Sequence, residues 1–263
     1  MSGFRRAGAP RVIGLLLGLQ AAIGLAVVLE AGGFGNPATW FGPRLPALDP
    51  GAPVAPGDHT RRYRPGDLPG APPGMRPHDL PQTGPMPDRL ETRLSETGGR
   101  QVLSLAGSID SGALDRVVRA LESGSVEAVL LHSPGGLVDQ ALAIGREIRA
   151  RGLDTELPDG AVCLSACPYM LAGGVERRVA AGARVGVHQS YYDRSVYLPL
   201  FVGVASVQQG EAEAMRFLEE MGVDPRLRIP ALETPADAIY LLTPEELSDY
   251  RLATEVTGDA EAS

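Results

Sequence analysis

The chain is 263 residues long, and all 24 of its basic side chains are arginine. Without lysine it cannot build a Walker A phosphate loop, a Schiff-base enzyme or a serine–lysine hydrolase. A net charge of −8 argues against a nucleic-acid surface, and two cysteines, Cys163 and Cys167, are too few for a disulfide scaffold or for a zinc site of their own.

Val12 to Leu29 is an 18-residue apolar run in which Gln20 is the only strongly polar residue. As a helix it is about 27 Å long, enough to cross a hydrocarbon core. Arg5, Arg6 and Arg11 precede it and Glu30 follows. The positive-inside rule therefore predicts cytoplasmic residues 1–11, a single-pass transmembrane anchor over 12–30, and everything after it outside. A cleaved signal peptide is the competing reading, but Leu29 and Glu30 stand where a cleavage site wants small residues. Fourteen of the 23 prolines fall between Pro37 and Pro87. Such a stretch cannot bury enough apolar surface to offset its ordering entropy, so residues 31–88 read as a disordered Pro/Gly-rich spacer.

The folded domain is predicted over 89–257, with a tail at 258–263. Gln101 to Leu105 reads as a strand, and Asp110 or Ser111 caps a helix through Leu121 with apolar residues at helical spacing. Ala128 to Leu131 is a buried-strand run, followed by a glycine pair and a helix from Leu137 to Arg151 that stops at Gly152. Thr155–Leu157, Ala161–Cys163, Arg178–Ala180 and Val185–Val187 are short strands around a brief helix starting near Ser165. A longer helix covers about Val207 to Met221, and Thr243-Pro-Glu-Glu is a capping box that opens the last one. Strands alternating with helices predict an α/β fold of βαβ units with a mainly parallel sheet.

Three features stand in order at predicted strand ends, where α/β proteins place their sites: Leu130 to Gly136 (LLHSPGG), Cys163 to Cys167 (CLSAC) and Val185 to Gln189 (VGVHQ). The SPGG turn is either half of an oxyanion hole or only a tight strand-to-helix turn. Ser165 is either a nucleophile beside the Ala166 amide or a helix N-cap. His188 is either a base or a hydrogen-bonded structural residue. Elimination favours it as the base: His59 and His78 fall in the spacer, and His132 sits on a strand just before the glycine turn.

Taken together, strand-SPGG-helix, a serine near a second helix start and a strand ending in His-Gln 23 residues later resemble the proteolytic subunit of the Clp protease, within the crotonase-like superfamily. The likeness runs from about Gly107 to Thr254 and includes the closing stretch LTPEELSDYRLAT from Leu242 to Thr254. It implies a spiral of βαβ units, a polypeptide substrate, no cofactor, and a homo-oligomer assembled through the segment from Ser190 to Pro225. Catalytic roles are implied for Ser165 as nucleophile and His188 as base, with Ala166 and Gly135 or Gly136 forming the oxyanion hole. The family's aspartate position aligns with Pro235; Glu233 and Asp237 flank it, and Asp237 is the candidate third member. The anchor and spacer are similar to a bacterial periplasmic branch held on the inner membrane, away from ATP. The family normally has small or apolar residues where Cys163 and Cys167 stand. Four residues apart on a helical turn, their Cα atoms would lie about 6 Å from each other, within disulfide range; two buried free thiols are the alternative. A non-catalytic relative that binds an envelope partner remains the second functional reading. An acyl-CoA enzyme fits poorly, because CoA esters are scarce outside the cytoplasm and there is no lysine for the nucleotide phosphates.

Overall fold

The computed structural model describes residues 9–31, 45–49, 52, 54–68, 85–190 and 200–258. It divides into two units, up to Arg44 and from Leu45 onward. The first contains helix α1, Ala9–Ala31. Its described side chains, residues 13–25, are all exposed. Among the described residues no helix is long and apolar enough to cross a membrane.

The second unit is α/β, built on two sheets whose strands are mostly parallel. The larger sheet has six strands. The continuous apolar run at the centre of the chain becomes β4, Ala128–His132, buried on both faces. It lies parallel to β3, Arg100–Ala106, on one side and to β5, Asp154–Leu157, on the other. Beyond β5 come β7, Arg177–Ala180, and β10, Glu255–Thr257, both parallel. The opposite edge is β2, Glu91–Thr97, antiparallel to β3. Leu94 is its only apolar residue and no apolar alternation marks it, so the sequence reading passed over it. A charged edge of this kind also resists pairing with other chains.

The smaller sheet orders β1, Thr60–Arg62, then β9, Ala238–Leu241, then β8, Arg184–Val187, then β6, Val162–Leu164. Among the described residues the two sheets meet at a single parallel bridge between Ser133 and Cys163. There the Ser133 amide donates to Val162 O at 2.8 Å and the Leu164 amide to Ser133 O at 3.0 Å.

Amphipathic helices cover the large sheet. α2, Ala113–Glu122, buries Ala113, Val117 and Leu121, and α3, Val138–Ala150, buries Ala141, Leu142, Ile144, Gly145 and Ile148. The short α4, Cys167–Ala172, is buried along its whole length. The predicted long helix is α5, Leu200–Glu220, beginning earlier than expected. α6 spans Arg228–Glu233, and α7, Pro244–Asp249, carries the capping box predicted at Thr243, with side chain and backbone bonded in both directions. The segment expected to mediate subunit contacts falls partly at 191–199, outside the described residues.

One expectation is corrected. Residues 31–88 read as a spacer separate from the domain, yet the described part of this stretch from Leu45 onward packs onto that domain. β1 pairs antiparallel with β9, Arg62 N donates to Pro46 O at 2.8 Å, and Arg184 Nε donates to Ala52 O at 2.9 Å. Leu68 and Met86 are buried with Val162, Leu164, Ile239 and Leu241, and Leu48, Val54 and Tyr63 pack against them. His59, placed in the spacer by the sequence reading, stacks on Tyr240 with centroids 4.5 Å apart, and its Nδ1 meets Leu241 O at 3.0 Å. Proline does not prevent this. A strand of three residues backed by a few apolar anchors needs neither helix nor long periodicity, and prolines punctuate it on either side. Leu68→Ala is therefore expected to lower unfolding stability by about 2–3 kcal/mol, measured by urea denaturation; a spacer residue would give no change.

Candidate active site

Each of the three predicted strand-end features turns at the seam between the sheets. β4 ends in the SPGG turn, where Gly135 and Gly136 both have left-handed φ, +102° and +145°. Ser133 shapes this turn from inside. Its buried hydroxyl donates to Gly107 O at 2.7 Å and accepts from the Gly135 amide at 3.1 Å. That bond uses the Gly135 N–H, so of the two glycines proposed for an oxyanion hole only Gly136 keeps an amide with no acceptor among the described residues. The Ala166 amide is in the same condition.

Ser165 lies between β6 and α4 with φ +61°, a left-handed conformation that costs a non-glycine residue about 1–2 kcal/mol. The turn is held on both sides. Its own amide donates to Gly186 O at 2.9 Å, and a disulfide joins Cys163 to Cys167 across it, Cα to Cα 5.0 Å. The cysteines are thus bridged, and the free-thiol alternative falls. Gly135 packs directly against the serine. A Cβ there would stand 2.5 Å from Ser165 Cβ and 2.6 Å from Leu164 O, so the turn and the serine can approach only because this residue has no side chain.

His188 follows β8, and its Nε2 lies 2.7 Å from Ser165 Oγ. The loop beyond it is tied down by the Gln189 amide to Thr234 O at 3.0 Å and by Gln189 Nε2 to Leu232 O at 2.7 Å. Burial, and after it the positive charge of Arg228, push the imidazole pKa down to about 4. Arg228 is itself buried; its Nε donates to Glu211 Oε2 at 3.1 Å and its Nη1 to Tyr169 Oη at 2.9 Å. The other nitrogen of His188, Nδ1, is buried and meets no hydrogen-bond partner among the described residues. Asp237, the candidate third member, is exposed, and no contact joins it to His188. What Asp237 does contribute is its backbone oxygen, which accepts the Tyr63 amide at 3.0 Å. Glu233 is likewise exposed.

Tyr63 and the Arg228–Glu211 pair escaped the sequence reading. Tyr63 extends from the end of β1, and its ring tilts over His188, centroids 5.0 Å apart at 49°. Its phenol donates to Pro134 O. Burial raises the phenol pKa above its ordinary value, so it stays protonated at working pH. Its only signal in the sequence was an aromatic residue in an otherwise proline-rich stretch. His132 is not part of the site. It is fully buried, and its Nδ1 accepts from the Val162 amide at 3.1 Å.

These groups open on a cleft of about 710 Å³. Ser165, His188, Gly136, Ala166 and Tyr63 line its reactive end, with Leu137, Leu142, Tyr169 and Glu213 farther along. Among the described residues no three His, Cys, Asp or Glu side chains gather into a metal-binding group. No protein-family model matches the chain, and no curated protein matches it in sequence.

The sign of the His188 shift gives a test. A base must be neutral to accept a proton, and burial holds this imidazole neutral well below the usual histidine range. Any Ser165-dependent activity should therefore stay level as pH falls from 7 to about 5 and be lost with a midpoint near 4, read from a pH series of labelling rates. Gly135→Ala should abolish that activity and cost about 2 kcal/mol of stability or more by overpacking the serine turn, measured by thermal unfolding.

Proposed function

We propose that this protein is a serine hydrolase acting on peptide bonds, with the spiral fold of the Clp-protease and crotonase-like superfamily. The observation that carries the reading is the 2.7 Å contact between His188 Nε2 and a serine held in a left-handed turn. That contact faces an open cleft beside the Gly136 and Ala166 amides, which meet no acceptor among the described residues. Strained strand-to-helix turns that lift a hydroxyl out of the backbone are a recurrent way of presenting a nucleophile.

The steps follow from the groups present. Ser165 Oγ attacks the carbonyl carbon as its proton passes to His188 Nε2, and the carbonyl oxygen, now negative, is held by the Gly136 and Ala166 amides. As the carbon–nitrogen bond breaks, His188 returns the proton to the leaving nitrogen and an acyl-serine remains. Water then enters and attacks the ester as His188 takes its proton; when the carbon–oxygen bond to serine breaks, His188 passes that proton to Ser165 Oγ, leaving a free acid that ionises and the starting serine. A base with a pKa near 4 gives little driving force for proton removal from a hydroxyl, and an imidazole without an Nδ1 acceptor is poorly held in the tautomer that leaves Nε2 bare. Both point to slow turnover. Slow turnover suits an enzyme that cuts a few specific bonds better than one that degrades bulk protein.

The apolar run at residues 12–30 supports a place on the bacterial inner membrane with the domain on the periplasmic side, and the disulfide fits an oxidising compartment. Such a place supplies no ATP, so the hydrolysis runs without it. The resemblance also supports a homo-oligomer.

The orphaned Nδ1 favours a second reading, a domain that keeps this fold to bind an envelope partner without turnover. Fluorophosphonate labelling of the full-length chain in detergent separates the two. The hydrolase reading expects one adduct, on Ser165, that disappears in Ser165→Ala and falls at least 100-fold in His188→Ala. Wild-type protein that takes no label, with the disulfide intact or reduced, would establish the binding reading instead.

A further inference from the structure

We propose that Tyr63 is a positioning residue for the hydrolytic site, standing in for the missing orienter of His188; the proposal rests on the serine hydrolase reading. Tyr63 reaches both the glycine turn and the imidazole. Its phenol donates to Pro134 O, fixing the peptide plane that leads into the Gly135–Gly136 turn. Tyr63 and Ser165 line the same end of the cleft. Its ring lies against the His188 imidazole, 5.0 Å between centroids.

His188 needs such a brace. In a serine triad a carboxylate at Nδ1 sets the tautomer and holds the ring. Here Nδ1 has no partner among the described residues, and Asp237 has only its backbone oxygen in play, holding the Tyr63 amide. The imidazole is therefore fixed by its bond to Ser165, by burial and by the Tyr63 ring. Tyr63 does not plug the site. A cleft of about 710 Å³ remains open along Ser165, His188 and Gly136, with Tyr63 as one wall.

The phenol is carried by β1, docked through Thr60, Arg61 and Arg62 against Tyr240, Ile239 and Ala238. The site is therefore complete only while this strand, contributed from the proline-rich stretch, is seated on β9.

Two variants of the full-length chain in detergent test the assignment, with a fluorophosphonate for labelling and a p-nitrophenyl acyl ester for turnover. Tyr63→Phe keeps the ring and loses one hydroxyl. It should lower kcat about 3- to 10-fold and leave KM within about twofold, the size of one hydrogen bond carried into the rate. Tyr63→Ala loses the brace as well and should lower kcat about 100-fold. The partial rescue by phenylalanine separates positioning by the ring from positioning by the hydroxyl. Thermal unfolding of both variants identifies a loss that is only misfolding, and Tyr63→Phe, one atom smaller, remains decisive if Tyr63→Ala does not fold. Wild-type rates in Tyr63→Phe and Tyr63→Ala, a rise in rate, or a change confined to KM would each overturn the proposal while leaving the hydrolase reading intact. Failure of the wild type to label at all removes both.

Discussion

The bridge between Ser133 and Cys163 is the constraint on which the rest of the molecule depends. It is one residue pair wide, yet it is where the parallel six-stranded sheet hands over to the smaller one. Two backbone bonds at this seam align the end of β4 with the end of β6. One strand delivers a glycine turn and the other delivers Ser165. The buried Ser133 hydroxyl then settles which glycine is available, because it consumes the Gly135 amide and leaves that of Gly136. Gly135 can sit against Ser165 only without a side chain. The disulfide on the far side of the serine completes the clamp. A turn with an unfavourable φ needs such over-determination, and here backbone pairing, close packing and a covalent bridge all act on it.

The inner strands of the larger sheet and the helices packed on it were legible in the sequence because they satisfy simple periodic rules. β4 is a continuous apolar run, α2 and α3 carry apolar stripes, and α7 announces itself with a capping box. Elements whose stabilisation is non-local were not legible. β2 is polar on both faces and exists as the antiparallel partner of β3, and β1 is three residues held by β9, which lies far along the chain. Single-sheet reasoning also failed to anticipate the division into two sheets, since the bridge that joins them is a backbone contact with no side-chain pattern.

At the site, the order of SPGG, Ser165 and His188 was legible because each sits at a strand end, and strand ends in α/β proteins converge. The third partner of His188 was not. The resemblance suggested Asp237, but that residue, just before β9, has an exposed side chain, and its carbonyl accepts the Tyr63 amide. The composition of the proline-rich stretch was misleading in a specific way. Proline and glycine rule out helices and long strands, but they do not rule out a short docked segment whose apolar residues fill a gap in an existing core. Leu68, Met86 and Tyr63 do this, and Tyr63 reaches the imidazole as a result.

The absence of lysine also has a consequence inside the site. A chain limited to arginine has no cation that can lose its proton to become a base, so any proton taken from Ser165 goes to His188. Arginine also cannot relieve its charge by deprotonating when buried. Arg228 must therefore be paired, which Glu211 and Tyr169 accomplish. Even paired, its residual field opposes a proton on His188, adding to the effect of burial. Burial and, after it, the fixed cation act in the same direction and keep the imidazole neutral. With no carboxylate at Nδ1 among the described residues, the ring's direct contacts there are the Ser165 hydroxyl and the Tyr63 ring, so the surroundings fix where the imidazole lies without raising its basicity.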